Sequence, residues 1–306
     1  MIRIPPFRDA HMHFMIDGRP AMVEALPQIR DHYRKCGVLS VEDMGHRVGI
    51  GLVAKRVLGG SFIVRTAGWA LYRRGEYGGF IGKAVSGNEE IRRGVADLAD
   101  AGADYIKVIN SGIVGTRRDE PVATGGFSGE ELKALCMEAG ERGLRVVCHA
   151  NSDEPVRRAV LAGVSSVEHG FLISRETVLM MAEAGVSWTP TVVGLKNILP
   201  SLDADGRRYV EEVLEGHIIA IGEASLAGVN LKTGTDGGAR GVQHGESFFE
   251  ELLQFRKAGL SLESILSSAC MSPRELEKGN YLLVKRDFMS TGEIEAVYEH
   301  GVRVNF

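Results

Sequence analysis

The chain is poor in the features that mark secreted, membrane-bound or redox proteins. Its four cysteines, Cys36, Cys136, Cys148 and Cys270, are scattered and form no C-x-x-C pair. That spacing argues against a disulfide framework and reads as reduced, mostly buried thiols in a cytoplasmic protein. No run of about 18 apolar residues is available to span a bilayer. The opening MIRIPPFRDA lacks the apolar stretch of a secretory leader. An excess of one charge is also missing: 36 Lys and Arg stand against 40 Asp and Glu, a net of −4. Such a balance offers no basic face to nucleic acid or to an anionic membrane surface. There is no G-x-S-x-G elbow, so nothing points to a serine nucleophile. Internal repeats and low-complexity tracts are absent as well.

What is present is an alternation of short apolar, β-branched runs with helical patterns. The runs predict strands at 7–13, 38–43, 62–67, 104–109, 144–149, 165–169, 186–191 and 229–235. Between them, segments such as EELKALCMEAGER, EPVRRAVLAG and RETVLMMAEAG carry apolar residues at helical spacing. Gly102, Gly143, Gly163, Gly185 and Gly228 each precede a strand, as expected of left-handed helix stops. Eight strand–helix units in 306 residues predict an α/β fold, a (β/α)8 TIM barrel. An open doubly wound sheet is the rival, and the lack of a composition break favours the barrel. Residues 1–278 form the expected barrel domain, and 279–306 a small C-terminal β appendage of two or three short strands.

Chemistry in such a barrel belongs at the C-terminal ends of the strands. The first predicted strand ends in His11 and His13, two apart and so on one face. Alone, that pair is either a metal-binding pair or a polar core accident. The fourth strand carries Lys107, the fifth ends in His149, the sixth in His169, and the eighth runs into Asp236. Singly, Lys107 reads as an ion-paired lysine, each histidine as a hydrogen-bonded core residue, and Asp236 as a turn former. Together, four imidazoles and a carboxylate are a ligand set for zinc or a similar divalent ion. Alternation places Met12 and Cys148 on the outward, packing side. His32, His46 and His217 fall in predicted helices or helix starts and are expected on solvated faces, as is His300 in the appendage.

These motifs resemble the amidohydrolase superfamily, specifically members with a two-metal site in a (β/α)8 barrel. GVLSVEDMG, AGADYIKVINSG, VVCHANSDEPVRRAVLAGVSSVEHG, LKTGTDGG and HGESFFEELLQFRKAGLSLESILSSA carry the likeness along nearly the whole chain. Within the superfamily the sequence is most similar to prolidase-like and imidazolonepropionase-like members. The resemblance implies that His11, His13 and Asp236 bind the more buried metal, and His149 and His169 the more exposed one. It implies that Lys107 is carboxylated by CO2 and bridges both ions, since an ammonium beside two dications is strongly disfavoured. A metal-bridging hydroxide would attack a carbonyl, with Asp236 passing its proton to the leaving amine. The expected activity is hydrolysis of an amide or peptide-like C–N bond in a small substrate. A lactonase, another ester hydrolase or a deaminase is the alternative on the same barrel, although Lys107 counts against a single-metal deaminase. Family members usually carry a β-sandwich built from both sides of the barrel. Here only its C-terminal half is matched, by EAVYEHGVRV, so an exposed strand edge is expected to favour a homo-oligomer.

Two further readings come from other classes. GIGLVA, Gly49 to Ala54, matches a G-x-G-x-x-A dinucleotide loop after a strand, which would suit an NAD-type oxidoreductase. The following strand offers no acidic residue for a ribose, so glycines that let a helix pack closely are the simpler account. A non-catalytic scaffold is the other reading, and the full set of six groups weighs against it. Substrate choice is expected in the loops after the strands. Tyr72, Arg73 and Arg74, then Arg117 and Arg118, then Arg240 and His244 are the candidates. Arginines suit a carboxylate-bearing substrate.

Overall fold

The computed structural model describes residues 1–60, 62–123 and 125–306. The apolar runs form parallel strands most of whose residues are buried on both faces, as a sheet covered by helices requires. Phe7–Met12 pairs with Val38–Asp43, and Val38–Asp43 with Ile63–Thr66. Further round, Ala70–Arg73, Ile106–Ile109, Val146–Ala150, Ser166–His169 and Ser187–Thr189 follow one another in parallel register. Thr66 O accepts from the Asp104 N–H at 2.8 Å. The third barrel strand therefore has two parts, one on each neighbour, with a break at 67–69 where Gly68 takes φ +69°.

Two expectations need correction here. The strand expected at 229–235 forms no continuous ladder; it closes the barrel through isolated bridges, Trp188 to Leu231 and Met12 to Gly237. Its backbone still bonds both ways: Lys232 N–H donates to Trp188 O at 2.8 Å, and Ala10 N–H to Thr233 O at 2.8 Å. The reason for the irregularity is close threading. A Cβ at Gly234 would lie 2.5 Å from Thr189 and 2.7 Å from His11 Cβ. In addition, Tyr72 and Arg73 lie on the strand Ala70–Arg73 rather than in a loop, and Gly82–Val85 pairs beside them in parallel. That strand lies between Ile106–Ile109 and Gly82–Val85, and its exposure rises toward Arg73.

The helices cover the outside, several of them capped by a serine or aspartate such as Ser128, Ser174 or Asp203. Gly163 and Gly228 end their helices in the left-handed conformation. In GIGLVA, a Cβ at Gly51 would collide with the Asp43 carboxylate and the Thr66 hydroxyl. That glycine lets the helix Ile50–Val57 close on the barrel. The expectation of solvated helical faces fails for two histidines. His46 is buried in the coil after Val38–Asp43, and His217 is buried inside the helix Ala204–Ala227. His217 is held there by its bond to Pro190 O and its stack on Phe171, and His46 stands in coil rather than on a helical face. His32 and His300 are exposed.

Tyr281–Val284, Ile294–Glu299 and Val302–Arg303 form an antiparallel sheet, which Ile2–Ile4 extends along the edge of Tyr281–Val284. Leu282 and Val284 face inward and are fully buried. The sheet and the short helix Phe288–Thr291 seat against the barrel through the rings of Phe7, Phe248 and Phe288. All four cysteines are free. Among the described residues no helix is long and apolar enough to cross a membrane.

Candidate active site

Parallel strands all end on the same side, so their last side chains converge. His11 and His13 come from the first strand's end, Lys107 from Ile106–Ile109, His149 from Val146–Ala150 and His169 from Ser166–His169. Asp236 lies on the closing stretch. Ligand-capable atoms of His11, His13 and Asp236 lie within 4.8 Å of one another. Asp236 Oδ1 is 3.5 Å from His11 Nε2 and 3.3 Å from His13 Nε2. The His169 ring lies 4.7 Å from that of His11 and 4.5 Å from that of His149, centroid to centroid. The six groups singled out from the sequence thus share one mouth of the barrel.

Each imidazole commits one nitrogen to the protein. His11 Nδ1 meets Glu168 Oε2 at 2.7 Å, and His13 Nδ1 donates to Gly45 O at 2.9 Å. His149 Nε2 donates to Gly112 O at 3.2 Å, and His169 Nδ1 meets Thr191 Oγ1 at 2.7 Å. A carbonyl or carboxylate partner requires an N–H on that nitrogen, leaving the other nitrogen with a lone pair. This is the outer-sphere pattern that orients metal-binding histidines. Burial, then the Lys107 charge, pushes His149 down to about 3. Burial and the neighbouring His149 push His169 well below the usual range. Both are therefore neutral, as a ligand must be. Burial alone would raise the Asp236 carboxyl; the His11 and His13 rings beside it outweigh this and hold it well below the carboxylate range.

Lys107 is the odd member. It is 1% exposed, and its Nζ finds no hydrogen-bond partner among the described residues. Burial lowers its affinity for a proton, against the pull of Glu168 and Asp236. His11 Nε2 is likewise buried without a hydrogen bond. Buried polar atoms without partners are costly, and here they sit beside the neutral His149 and His169 imidazoles and an ionised carboxylate. That donor set fits divalent metal. Backbone strain concentrates at the same place: His169, Thr191 and Asp236 have φ of 69°, 49° and 62°. Such values in residues other than glycine cost energy and gather at functional sites.

A cavity of about 340 Å³ opens on His13, His149, His169 and Asp236. Its wall is apolar, with Tyr77, Phe80, Ile113, Phe171, Leu195 and Ile198 among the lining residues, and Arg240 is the one Lys or Arg among the described residues that line it. The other substrate candidates lie elsewhere. Tyr72 packs behind the wall with Ile81 and Ile109. Arg73 pairs with Glu76 and Glu131, Arg74 with Glu90, and Arg118 with Glu212. Arg117 lies on the hairpin Val114–Arg117 and Glu120–Val122, facing a separate surface groove. His244 Nε2 donates to His13 O at 2.9 Å, from behind the site.

Sequence reasoning passed over Glu168, Thr191 and Tyr77. Strict alternation puts Glu168 outward if His169 points in. In the structure Glu168 faces the barrel interior, bonded to Ser166 Oγ at 2.7 Å as well as to His11. The positive φ of His169 turns that ring inward too. The signal was available, since an outward Glu168 would bury an unpaired charge among helices. Thr191 and Tyr77 left no comparable trace.

A parallel barrel with a histidine-rich, acid-bearing centre at its C-terminal mouth is the architecture of a metal-assisted hydrolase. The model of the amidohydrolase family matches residues 4–276, and the chain belongs to that family. It is a hydrolase of the class acting on carbon–nitrogen bonds, and the family generally uses divalent metal. An uncharacterised protein of Mycobacterium bovis is 27% identical over 280 residues, 89% of this chain and 73% of that protein. Ochratoxinase of Aspergillus niger is 29% identical over 223 residues, 71% of this chain but 44% of the enzyme. The fold superposes on a Xaa-Pro dipeptidase with methionine in its active site at a TM-score of 0.82. That alignment has 20% identity and covers 99% of this chain and 87% of the dipeptidase. The ochratoxinase crystal structure superposes at 0.77 with 21% identity, covering 98% and 82%.

Proposed function

We propose that this hydrolase cleaves an amide or peptide-like C–N bond in a small substrate, using two divalent ions, zinc by preference. The observation that carries the reading is the convergence of six groups around a lysine amine that has no partner of its own. His11, His13 and Asp236 would hold one ion, His149 and His169 the other, with Lys107, carboxylated by CO2, as the shared anionic ligand. Bound there, the ions supply a water that ionises near neutral pH and a Lewis acid for a carbonyl. Asp236 takes the proton of the attacking water and hands it to the departing amine. Its Oδ1 faces His11 and His13, which leaves Oδ2 for that traffic.

The apolar cavity suits a bulky hydrocarbon or aromatic group on one side of the scissile bond. Arg240 at its rim suits a carboxylate, which a guanidinium grips through two hydrogen bonds. Tyr77 and Phe80 take the place in this reading that Tyr72 and Arg117 held in the sequence expectation.

The test is elemental analysis of protein purified without chelator in bicarbonate buffer, followed by a screen of N-acyl amino acids, dipeptides and lactones. About two divalent ions per chain, falling sharply in Lys107→Ala, is the expected result. One ion that Lys107→Ala leaves untouched would replace the bridged pair with a mononuclear site. Cleavage of lactones alone would move the activity to ester hydrolysis.

A further inference from the structure

His169 ends its strand at φ +69° and depends on two bonds for its pose. Trp188 Nε1–H donates to its carbonyl at 2.8 Å, and Thr191 Oγ1 lies 2.7 Å from its Nδ1. Thr191 is itself strained, at φ +49°, and occupies the N-cap position of the short helix Val192–Lys196. A threonine there ordinarily turns its hydroxyl onto the helix's own free N–H groups. This one does not cap; its hydroxyl is spent on His169. The first N–H groups of a helix must still be satisfied, and a remote side chain does it. Glu251, on the helix Glu246–Lys257, accepts from Val192 N–H with Oε1 and from Val193 N–H with Oε2, both at 2.9 Å. Glu251 is completely buried.

The same corner is held from the other side. His217, buried in the helix Ala204–Ala227, donates from Nε2 to Pro190 O at 3.0 Å, with its ring stacked on Phe171. The corner also touches the acid of the site: a Cβ added at Gly194 would lie 3.3 Å from both Cβ and Oδ2 of Asp236. Residues 190–194 therefore meet two of the six central groups, and two outer helices pin them with buried polar side chains.

We infer that Glu251 is a positioning residue: by capping Val192 and Val193 it releases the Thr191 hydroxyl to fix the His169 ring. A buried carboxyl is an expensive cap, and an ordinary cap by Thr191 itself would serve the helix alone. The arrangement makes sense when the threonine is needed elsewhere. For His169 to offer its lone pair from Nε2, its Nδ1–H must be the donor and Thr191 Oγ1 the acceptor of this bond. The consequence for zinc rests on the function proposed above; the control of the ring does not.

The two are tested separately. Long-range 1H–15N spectra of metal-free protein report the tautomer of each histidine ring, assigned for His169 with His169→Asn. Wild type and Thr191→Ser are expected to show one His169 tautomer, protonated at Nδ1. Thr191→Val, which removes only the hydroxyl, and Glu251→Gln, which presents an NH2 to one of the two N–H groups, should both show a mixture. Zinc titration of the same proteins should find the weaker ion bound about 10–100-fold less tightly in each variant. If Glu251 acts through Thr191, adding Glu251→Gln to Thr191→Val should change zinc affinity little further. A single wild-type tautomer in both variants overturns the inference, as does full additivity of the two zinc effects. Absence of zinc binding by wild type would defeat the binuclear reading, while the tautomer comparison would still decide the role of Glu251. Should Glu251→Gln fail to fold, Thr191→Val compared with Thr191→Ser decides the hydroxyl. Glu251→Asp, too short to reach both N–H groups, then decides the carboxyl.

Discussion

Replacing Lys107 with methionine should make the metal-free protein more stable while destroying its capacity for two ions. Lys107 is 1% exposed and its Nζ has no hydrogen-bond partner. Leaving a buried donor unsatisfied costs about 1–3 kcal/mol. Methionine has similar length and flexibility and no polar group to satisfy, so it fills the same space without that cost. The neighbouring carboxylates do not lose their main partners. Glu168 keeps His11 and Ser166, and Asp236 keeps His11 and His13. The expected gain for Lys107→Met is therefore about 1–3 kcal/mol in urea unfolding of chelator-treated protein. Added zinc should reverse the order, because a ligand that binds only the native state stabilises it in proportion to its affinity. Wild type should gain markedly and the variant little. Metal-free Lys107→Met that is less stable than wild type by more than about 1 kcal/mol would refute the reasoning. The amine would then be contributing through Glu168 and Asp236 rather than standing as a cost.

Glu168→Gln removes the charge that holds His11 Nδ1 and should weaken zinc binding by about 10–100-fold in a competition titration; unchanged affinity would remove Glu168 from the site. Arg240→Gln should raise KM about 10-fold or more for a carboxylate-bearing substrate and leave its carboxamide unaffected; equal effects on both would show that Arg240 grips no carboxylate. Burial raises the Glu251 carboxyl from the ordinary 4.5 to about 8. Between those values the native state holds more protons than the unfolded state, so this group's contribution to stability falls as pH rises from about 4.5 to about 8 and is level above. The loss is on the order of 4–5 kcal/mol. Glu251→Gln should flatten that part of the pH–stability curve, and a curve parallel to wild type would contradict it.

The barrel was legible because its strands are apolar on both faces and its helices stop at glycines, signals that local physics writes directly into a sequence. The central residues were legible for a related reason: Lys107 interrupts the apolar run Ile106–Ile109, and the histidines and Asp236 lie at or just past strand ends, where burial makes a polar side chain conspicuous. The closing stretch was less so. Residues 229–235 have the composition of a strand, yet Gly234 must pass between Thr189 and His11, a tertiary fact with no local signature. Glu168 was hidden by the assumption that alternation persists to the last residue of a strand, which the positive φ of His169 breaks. Thr191, Glu251 and His217 act together only because the 190–194 corner meets two helices far along the chain. Arg240 does line the cavity, but Arg73, Arg74 and Arg118 were poor guides for the opposite reason. Their partners, Glu76, Glu90, Glu131 and Glu212, are common surface residues that nothing in the sequence assigns to them.

A second charge cluster, half-buried around Glu42, offers a comparison that explains why only one end suits chemistry. Away from the cavity, Glu42 is flanked by Arg145, with which it pairs, and by Arg8, whose Nε lies 4.0 Å from its Oε1. The Arg145 guanidinium also lies over the Tyr105 ring, 4.6 Å from its centroid. Charge there meets counter-charge, and none of these residues lines the cavity. At the mouth the balance differs. Glu168 is committed to His11 and Ser166, Asp236 to two imidazoles, and Lys107 is left over. Moving Lys107 to a surface would relieve the fold, and so would a glycine at 169 or 191. The chain keeps all three costs within one cluster that opens on an apolar chamber. A fold selected for stability alone would shed them one at a time, whereas a centre that needs a neutral lysine nitrogen and fixed imidazole lone pairs must keep them together.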